Sequence, residues 1–185
     1  MLIRQGEKIV FFGDSLTQRT DLNESEHPAR RYSLDYAGSY VDILVKRLLI
    51  HFPQLEFTFY NRGVGGDTIR HLLERYSRDV APLHPSMMIL WIGQNDAKAL
   101  DPAHFEQGLR CLLEWCGQDR IQVVVLSTSA HRSHEKMVAL EQVDNILRRV
   151  SGEKGLPFID VKSPMLAVME HNRQAICPTQ LFTTG

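Results

Sequence analysis

Five short apolar runs recur along the chain, and segments with helical spacing of apolar residues separate them. Each run is almost continuously hydrophobic, which is typical of strands that are covered on both faces. The runs lie at residues 8–12, 55–60, 86–92, 121–127 and 157–161. Alternation of such strands with amphipathic helices predicts an α/β fold, in which a parallel sheet is covered by helices on both faces.

Three segments between the runs have apolar residues at steps of three and four, as expected for amphipathic helices. The first stripe is Val41, Leu44, Val45, Leu48, Leu49 and Phe52. The second stripe is Phe105, Leu109, Leu112, Leu113 and Cys116. The third stripe is Met137, Leu140, Val143, Ile146, Leu147 and Val150. Asp101 followed by Pro102 is a typical start for the second of these helices.

Polar and glycine-rich segments follow the first four strands. They are Gly13-Asp14-Ser15 and residues 61–68, 93–97 and 127–134. Right-handed crossovers place the C-terminal ends of all parallel strands at one edge of the sheet, and ligands bind at this edge in open sheets. The sequence therefore predicts a functional site at this edge.

Ser15, at the end of the first strand, is a candidate nucleophile if a base accepts its proton. The oxyanion formed by such an attack needs preorganised hydrogen-bond donors. Gly65 and Gly66 can present backbone N–H groups without an interfering side chain, and Asn95 can present an amide N–H. We therefore expect Ser, Gly and Asn from three neighbouring strands to converge on one oxygen atom.

The composition narrows the function classes. The 185 residues correspond to one domain, 1–185, with 43% hydrophobic and 23% charged residues. The net charge of −1 gives no general attraction to nucleic acid or to an acidic membrane surface. No apolar run approaches the ~20 residues of a membrane span, and the N-terminus is unlike a signal peptide, so we expect a cytoplasmic protein. The three cysteines form no CxxC pair and fit a reducing compartment: Cys111, Cys116 and Cys177.

Three motifs, in order and over nearly the whole chain, resemble blocks of the SGNH (GDSL) hydrolase family of esterases and lipases. They are FFGDSLTQ (11–18), NRGVGGDT (61–68) and WIGQND (91–96). The resemblance implies that Ser15 is the nucleophile, Gly66 a backbone oxyanion donor and Asn95 a side-chain oxyanion donor. Supporting, loop-orienting roles are expected for Asp14, Asp67 and Asp96. The implied fold is a flavodoxin-like three-layer sandwich with strand order 2-1-3-4-5.

The motifs are most similar to the branch of carbohydrate O-acetylesterases, such as acetylxylan esterases. This implies a cofactor-free serine esterase that removes short acyl groups, acetyl above all, from a small molecule or oligosaccharide. A lysophospholipase or thioesterase of the same family is the alternative enzyme. A flavodoxin-type FMN module is disfavoured, because Arg19, Asp21 and Glu24 follow the first strand, where phosphate needs glycine, serine or threonine N–H groups.

One family block has no counterpart in this sequence. Family members carry Asp-x-x-His after the last strand, which supplies the base, and residues 162–185 contain no such motif. We expect the native chain to continue past Gly185 with this block and a closing helix. We also expect the 185-residue form to be nearly inactive and to pair through uncovered apolar surface.

Two further alternatives concern the base. The chain could be a catalytically silent SGNH-like domain, or an enzyme whose replacement base is His131, His134, His171 or a histidine from a neighbouring chain. A metal site at His131 and His134 is disfavoured, because no third ligand is evident.

Overall fold

The computed structural model of the protein describes residues 4–18 and 39–174. Within them lie five strands in one parallel sheet of order β2-β1-β3-β4-β5. The strands are β1 (Lys8–Gly13), β2 (Thr58–Gly63), β3 (Met87–Trp91), β4 (Gln122–Leu126) and β5 (Phe158–Ile159). This confirms the predicted α/β fold and its strand order.

Helices cover both faces of the sheet. The α-helices of the described residues are α1 (Tyr40–His51), α2 (Ile69–Asp79), α3 (Pro102–Gln118), α4 (His134–Glu153) and α5 (Lys162–Gln174). The larger core lies between the sheet and α2, α3 and α4. On the other face, α1 packs against β1, and α5 contributes Met165 beside Trp91 and Leu126. None of the helices so described has both the length and the apolar character needed to cross a bilayer.

The inner strand β1, which lies between β2 and β3, is deeply buried. Val10, Phe11 and Phe12 are each 0% exposed. Val10 and Phe12 pack in the core of α2, α3 and α4, whereas Phe11 packs in that of α1. Burial of each such side chain contributes about 1.5–3 kcal/mol, so β1 is firmly fixed up to the point where Ser15 follows it.

The two edge strands depart from the predicted pattern. β2 begins at Thr58 rather than at residue 55, because Leu55 ends a short 3-10 turn and Glu56 has a left-handed φ of 50°. Along β2, half-buried and buried positions alternate, and β5 has only two residues. The three inner strands are therefore covered on both faces, whereas the edge strands β2 and β5 are not.

The predicted helical stripes are largely confirmed. All apolar positions of the second stripe are buried, and Asp101 caps α3 by accepting hydrogen bonds from two backbone N–H groups. In α1, Val41 and Val45 are buried as predicted. The prediction is wrong for Leu49 and Phe52, which are 47% and 46% exposed, because they lie near the end of α1 and beyond it, away from the sheet.

Candidate active site

The candidate site lies where β1, β2 and β3 end together. The strand register pairs Gly13 with Gly63 on one side and with Trp91 on the other, so the three strands end at one level. Ser15, Gly66 and Asn95 follow these residues by two, three and four positions. The three predicted functional residues therefore leave the sheet from neighbouring points on the same edge.

Close backbone approach at this edge requires two of the glycines. A Cβ atom on Gly13 would lie 2.1 Å from the Trp91 carbonyl oxygen. A Cβ atom on Gly63 would lie 2.3 Å from the backbone nitrogen of Gln18. Neither position accommodates a side chain without moving the loop that carries Ser15.

Ser15 lies in a tight turn that Asp14 holds in place. The Asp14 carbonyl oxygen accepts hydrogen bonds from the N–H groups of Thr17 and Gln18, each at 3.0 Å. The Asp14 Oδ1 atom accepts a further bond from the Leu16 N–H at 2.9 Å. Because Asp14 makes these capping contacts, the Ser15 side chain is left exposed to solvent. This arrangement favours a functional role for the serine over a capping role.

The glycine loop after β2 packs directly beside Ser15. The Gly65 N–H donates to Gln18 Oε1, and a Cβ atom on Gly65 would lie 3.8 Å from the Ser15 Cβ. Gly66 follows with a φ of +83°, which favours glycine. Within residues 4–18 and 39–174, neither the Ser15 N–H nor the Gly66 N–H donates a hydrogen bond. Unengaged N–H groups beside an exposed hydroxyl are suited to bind an oxyanion.

Asn95 is held with its amide nitrogen toward the glycine loop. Its Nδ2 atom donates to the Asp67 carbonyl oxygen at 3.0 Å, and its Oδ1 atom accepts from Lys98 Nζ at 2.8 Å. A primary amide carries two N–H donors, so the Asp67 contact engages one of them. The next residue, Asp96, accepts a hydrogen bond from the Ile69 N–H at the start of α2. The loop after β3 is therefore tied to the loop after β2.

Two buried polar residues that the sequence analysis missed support these loops. Asn61 of β2 donates to the Thr17 carbonyl oxygen at 2.8 Å and accepts from the Gly63 N–H at 2.9 Å. Arg75 of α2 donates to Asp67 Oδ2 at 2.7 Å. The available signal for Asn61 was its place two residues after Phe59, on the buried side of β2. A polar residue at such a position usually serves a specific hydrogen bond.

Three carboxyl groups lie near the candidate site in different environments. Burial, reinforced by the charges of Asp96 and Asp67, raises the pKa of Asp14 to about 7, although the Leu16 N–H opposes the shift. Burial also raises the pKa of Asp96. Asp67, in contrast, is paired with the Arg75 guanidinium. A pKa of about 7 means that Asp14 changes charge near neutral pH.

The histidines near this edge serve backbone groups. His71 Nδ1 accepts the Thr68 N–H at 3.1 Å in a capping box of α2, and His131 Nδ1 accepts the Ser133 N–H at 2.9 Å. Burial and the Lys136 charge lower the pKa of His131. No histidine in the part of the chain that the structure describes is hydrogen-bonded to Ser15. The same residues contain no cluster of three or more His, Cys, Asp or Glu side chains that could hold a metal ion.

Comparison with known proteins identifies the family. The family model for GDSL-like lipases and acylhydrolases matches residues 11–177. The chain therefore belongs to the GDSL-like lipase/acylhydrolase family, as the three motifs predicted. An acetylxylan esterase from Geobacillus stearothermophilus is 35% identical to it over 97 residues, which is 52% of this chain and 42% of that protein. The match thus spans less than half the length of this relative.

Solved structures show the same fold over nearly the whole chain. The crystal structure of Axe2, an acetylxylan esterase from Geobacillus stearothermophilus, has a TM-score of 0.79 at 21% identity, covering 96% of this chain and 84% of that one. LAE5, an α/β hydrolase enzyme from the metagenome of Lake Arreo, has a TM-score of 0.77 at 23% identity, with coverage of 91% and 83%. At this identity the likeness establishes the fold alone.

Proposed function

We propose that the protein is a serine esterase that hydrolyses short acyl esters, in particular acetyl esters of a carbohydrate. One observation carries the proposal: the exposed Ser15 follows a buried strand and lies beside the glycine loop, and within the described residues the N–H groups of Ser15 and Gly66 donate no hydrogen bond. Membership of the lipase/acylhydrolase family and the similarity to an acetylxylan esterase support the same class of reaction.

The proposed reaction begins at the Ser15 Oγ atom. It attacks the acyl carbonyl carbon while a base takes the hydroxyl proton, and the C=O π electrons move to the oxygen. This oxyanion accepts hydrogen bonds from the N–H groups of Ser15 and Gly66 and from Asn95 Nδ2. Its collapse expels the alcohol, which leaves with the proton from the base, and the acyl group stays on Ser15. Water, deprotonated by the same base, then attacks the acyl carbon, and collapse of the second oxyanion releases the acid while the base returns the proton to Ser15 Oγ.

Histidine is the side chain whose ordinary pKa suits this base near neutral pH. His131, His134 and His171 are the candidates that the sequence offers. If the 185-residue form turns over p-nitrophenyl acetate at ordinary esterase rates, substitution of each by alanine identifies the base through a loss of turnover of several orders of magnitude, as expected when a triad member is removed. Full activity in all three variants would assign the base to another residue.

A groove of about 180 Å³ beside Asn95 supports a carbohydrate as the alcohol part of the substrate. It lies between the starts of α2 and α3, and its lining mixes both charges with small apolar groups. The lining residues are Thr68, Ile69, Arg70, Asn95, Asp96, Ala99, Leu100, Asp101, His104 and Phe105. Donors and acceptors of this kind suit a hydroxylated ligand, whereas a long acyl chain needs a larger apolar channel.

The nucleophile is tested by comparing the protein with Ser15→Ala. In a form of the protein that also carries the Asp-x-x-His block, we expect one covalent label from a serine-directed phosphonate and Ser15-dependent turnover of p-nitrophenyl acetate, both lost in Ser15→Ala. Unchanged turnover in Ser15→Ala would refute the assignment. Absence of both labelling and turnover in the unmodified protein would instead support a catalytically silent domain.

The oxyanion hole and the acyl group are tested by kinetics. Asn95→Ala should lower kcat by roughly a hundredfold with little change in KM, because this donor acts chiefly in the transition state. Acetyl esters should react faster than octanoyl esters, and acetylated xylooligosaccharide should release acetate. A preference for octanoyl esters would favour the lysophospholipase or thioesterase alternative.

A further inference from the structure

Arg75 is a buried arginine whose contacts converge on the candidate site. Its side chain, only 6% exposed, projects from the middle of α2. Its Nη2 atom donates to the carbonyl oxygens of Arg62 at 2.8 Å and Gly13 at 3.1 Å. Its Nε and Nη1 atoms donate to Asp67 Oδ2 at 2.7 Å and Asp79 Oδ2 at 3.1 Å. The guanidinium therefore joins the ends of β1 and β2, the glycine loop and the end of α2.

Two of these contacts lie next to the residues proposed to hold the oxyanion. Gly13 is two residues before Ser15, and Asp67 immediately follows Gly66. The third donor is reached through Asp67 as well, because Asn95 Nδ2 donates to the Asp67 carbonyl oxygen. The nucleophile turn, the glycine loop and the Asn95 amide thus share one buried cation as their common support.

Stability alone is a weak reason for a buried charge at this position. Well-packed apolar residues often replace buried ion pairs at no cost in stability. One face of the Arg75 guanidinium already lies against apolar surface, with its carbon 4.3 Å from the centre of the Phe12 ring. An apolar residue cannot supply a planar group with N–H donors in fixed directions. The Arg75 guanidinium has such donors, and they orient four separate acceptors.

We propose that Arg75 is a positioning residue for the esterase reaction, which sets the Ser15 turn, the Gly66 loop and Asn95 at the separation that the oxyanion requires. The proposal rests on the proposed function. A lysine at this position would keep the charge, but its single ammonium group cannot reach all four acceptors at once. Arg75→Lys therefore separates the effect of the positive charge from that of the guanidinium geometry.

The test compares Arg75→Lys and Arg75→Met with Lys162→Met. Lys162 is a matched control, because it is a buried cation, 8% exposed, whose side chain pairs with Asp144 at 2.5 Å and with Glu141, both in α4 and neither in the three loops. Folding is checked by circular dichroism and urea unfolding, and kcat and KM are measured with p-nitrophenyl acetate. If Arg75→Met does not fold, Arg75→Lys decides.

We expect Arg75→Lys to fold and to lose kcat by about ten- to a hundredfold, with KM within about threefold, since small misplacements of reacting groups have effects of this size. Lys162→Met should keep the kcat of the unmodified protein even if it is equally destabilised. Full kcat in Arg75→Lys, or an equal kcat loss in Lys162→Met, would overturn the positioning role.

A second readout separates this proposal from the proposed function. If the unmodified protein shows no Ser15-dependent turnover, the proposed function fails, and the backbone amide resonances of Ser15 and Gly66 decide the role of Arg75. Shifts of both resonances in Arg75→Lys, absent in Lys162→Met, would support it. Unchanged resonances would overturn it.

Discussion

Two ion-pair networks in this protein have similar distances and different surroundings. At the candidate site, Arg75 pairs with Asp67 and Asp79 at 2.7 and 3.1 Å. On the outer side of α3 and α4, Glu106, Arg110, Arg149 and Glu153 pair at distances down to 2.6 Å. The side chain of Asp79 is 2% exposed, whereas that of Glu153 is 45% exposed. Distance alone therefore does not show which network stabilises the fold.

Burial determines how much each ion-pair network contributes to the stability of the fold. Hydrogen bonds from Arg149 and Arg110 lower the pKa of Glu106 to about 2, but water and salt screen these pairs at the surface. For Asp79, burial opposes ionisation, and hydrogen bonds from Arg78 and Arg75 outweigh it, so the net pKa is lowered. Removal of a carboxylate held in this way leaves its arginine partner in the interior without a compensating charge.

The largest expected effect follows from breaking the buried network at Asp79. Asp79→Asn removes one of the two carboxylates that face Arg75, and we expect a loss of about 3–5 kcal/mol in the free energy of unfolding. Urea unfolding at pH 7 measures it. Glu153→Gln is the control at the surface, and an equal loss in both variants would contradict the distinction drawn from burial.

A smaller effect is expected at Asp14, a buried carboxyl group with no cation paired to it in the described residues. Its pKa of about 7 in the folded state exceeds the ordinary value of 3.8, so the folded protein binds the extra proton between these values. Stability from Asp14 is thus fully present below about pH 4 and is lost as the pH rises through 7.

Asp14→Asn should therefore remove a pH dependence of roughly 3 kcal/mol in the free energy of unfolding between pH 4 and 8. The amide keeps the Oδ1 acceptor for the Leu16 N–H. Unfolding curves of both proteins across this range provide the measurement. Parallel curves for the two proteins would show that Asp14 does not titrate in this window.

The smallest effect is expected at the surface network. Glu106→Gln removes the carboxylate that contacts both Arg110 and Arg149. Because these groups stay solvated, the melting temperature should change by no more than about a degree or two, and 1 M NaCl should abolish the difference. A loss as large as that of Asp79→Asn would show that this network is structural.

The inner part of the fold could be predicted from the sequence because its signals are local. Continuous apolar runs and helical stripes identified β1, β3 and β4 and the helices that cover them. The start of β2 could not be predicted in this way, because Leu55 and Glu56 look like strand residues and form a turn only through a left-handed backbone. Apolar character does not report backbone conformation.

The residues of the candidate site also differ in whether the sequence predicts them. Ser15, Gly66 and Asn95 could be placed because each lies in a motif at the end of a strand. Arg75 could not, since an arginine in a helix usually faces solvent, and for Asn61 the strand pattern indicates burial but not the hydrogen-bond partner. Their partners include carbonyl oxygens of Gly13 and Thr17, which are more than 40 residues away and have no side-chain signature.

The place of β1 between β2 and β3 determines when the site forms during folding. Gly13 pairs with Gly63 and with Trp91, which are 50 and 78 residues further along the chain. Pairing over such separations is slow relative to local helix formation, because a long loop must close before any contact is gained. During synthesis Ser15 leaves the ribosome well before either neighbouring strand exists. The Ser15 hydroxyl therefore meets the proposed donors Gly66 and Asn95 only after β1, β2 and β3 have joined, and a partly folded chain carries no partly assembled site.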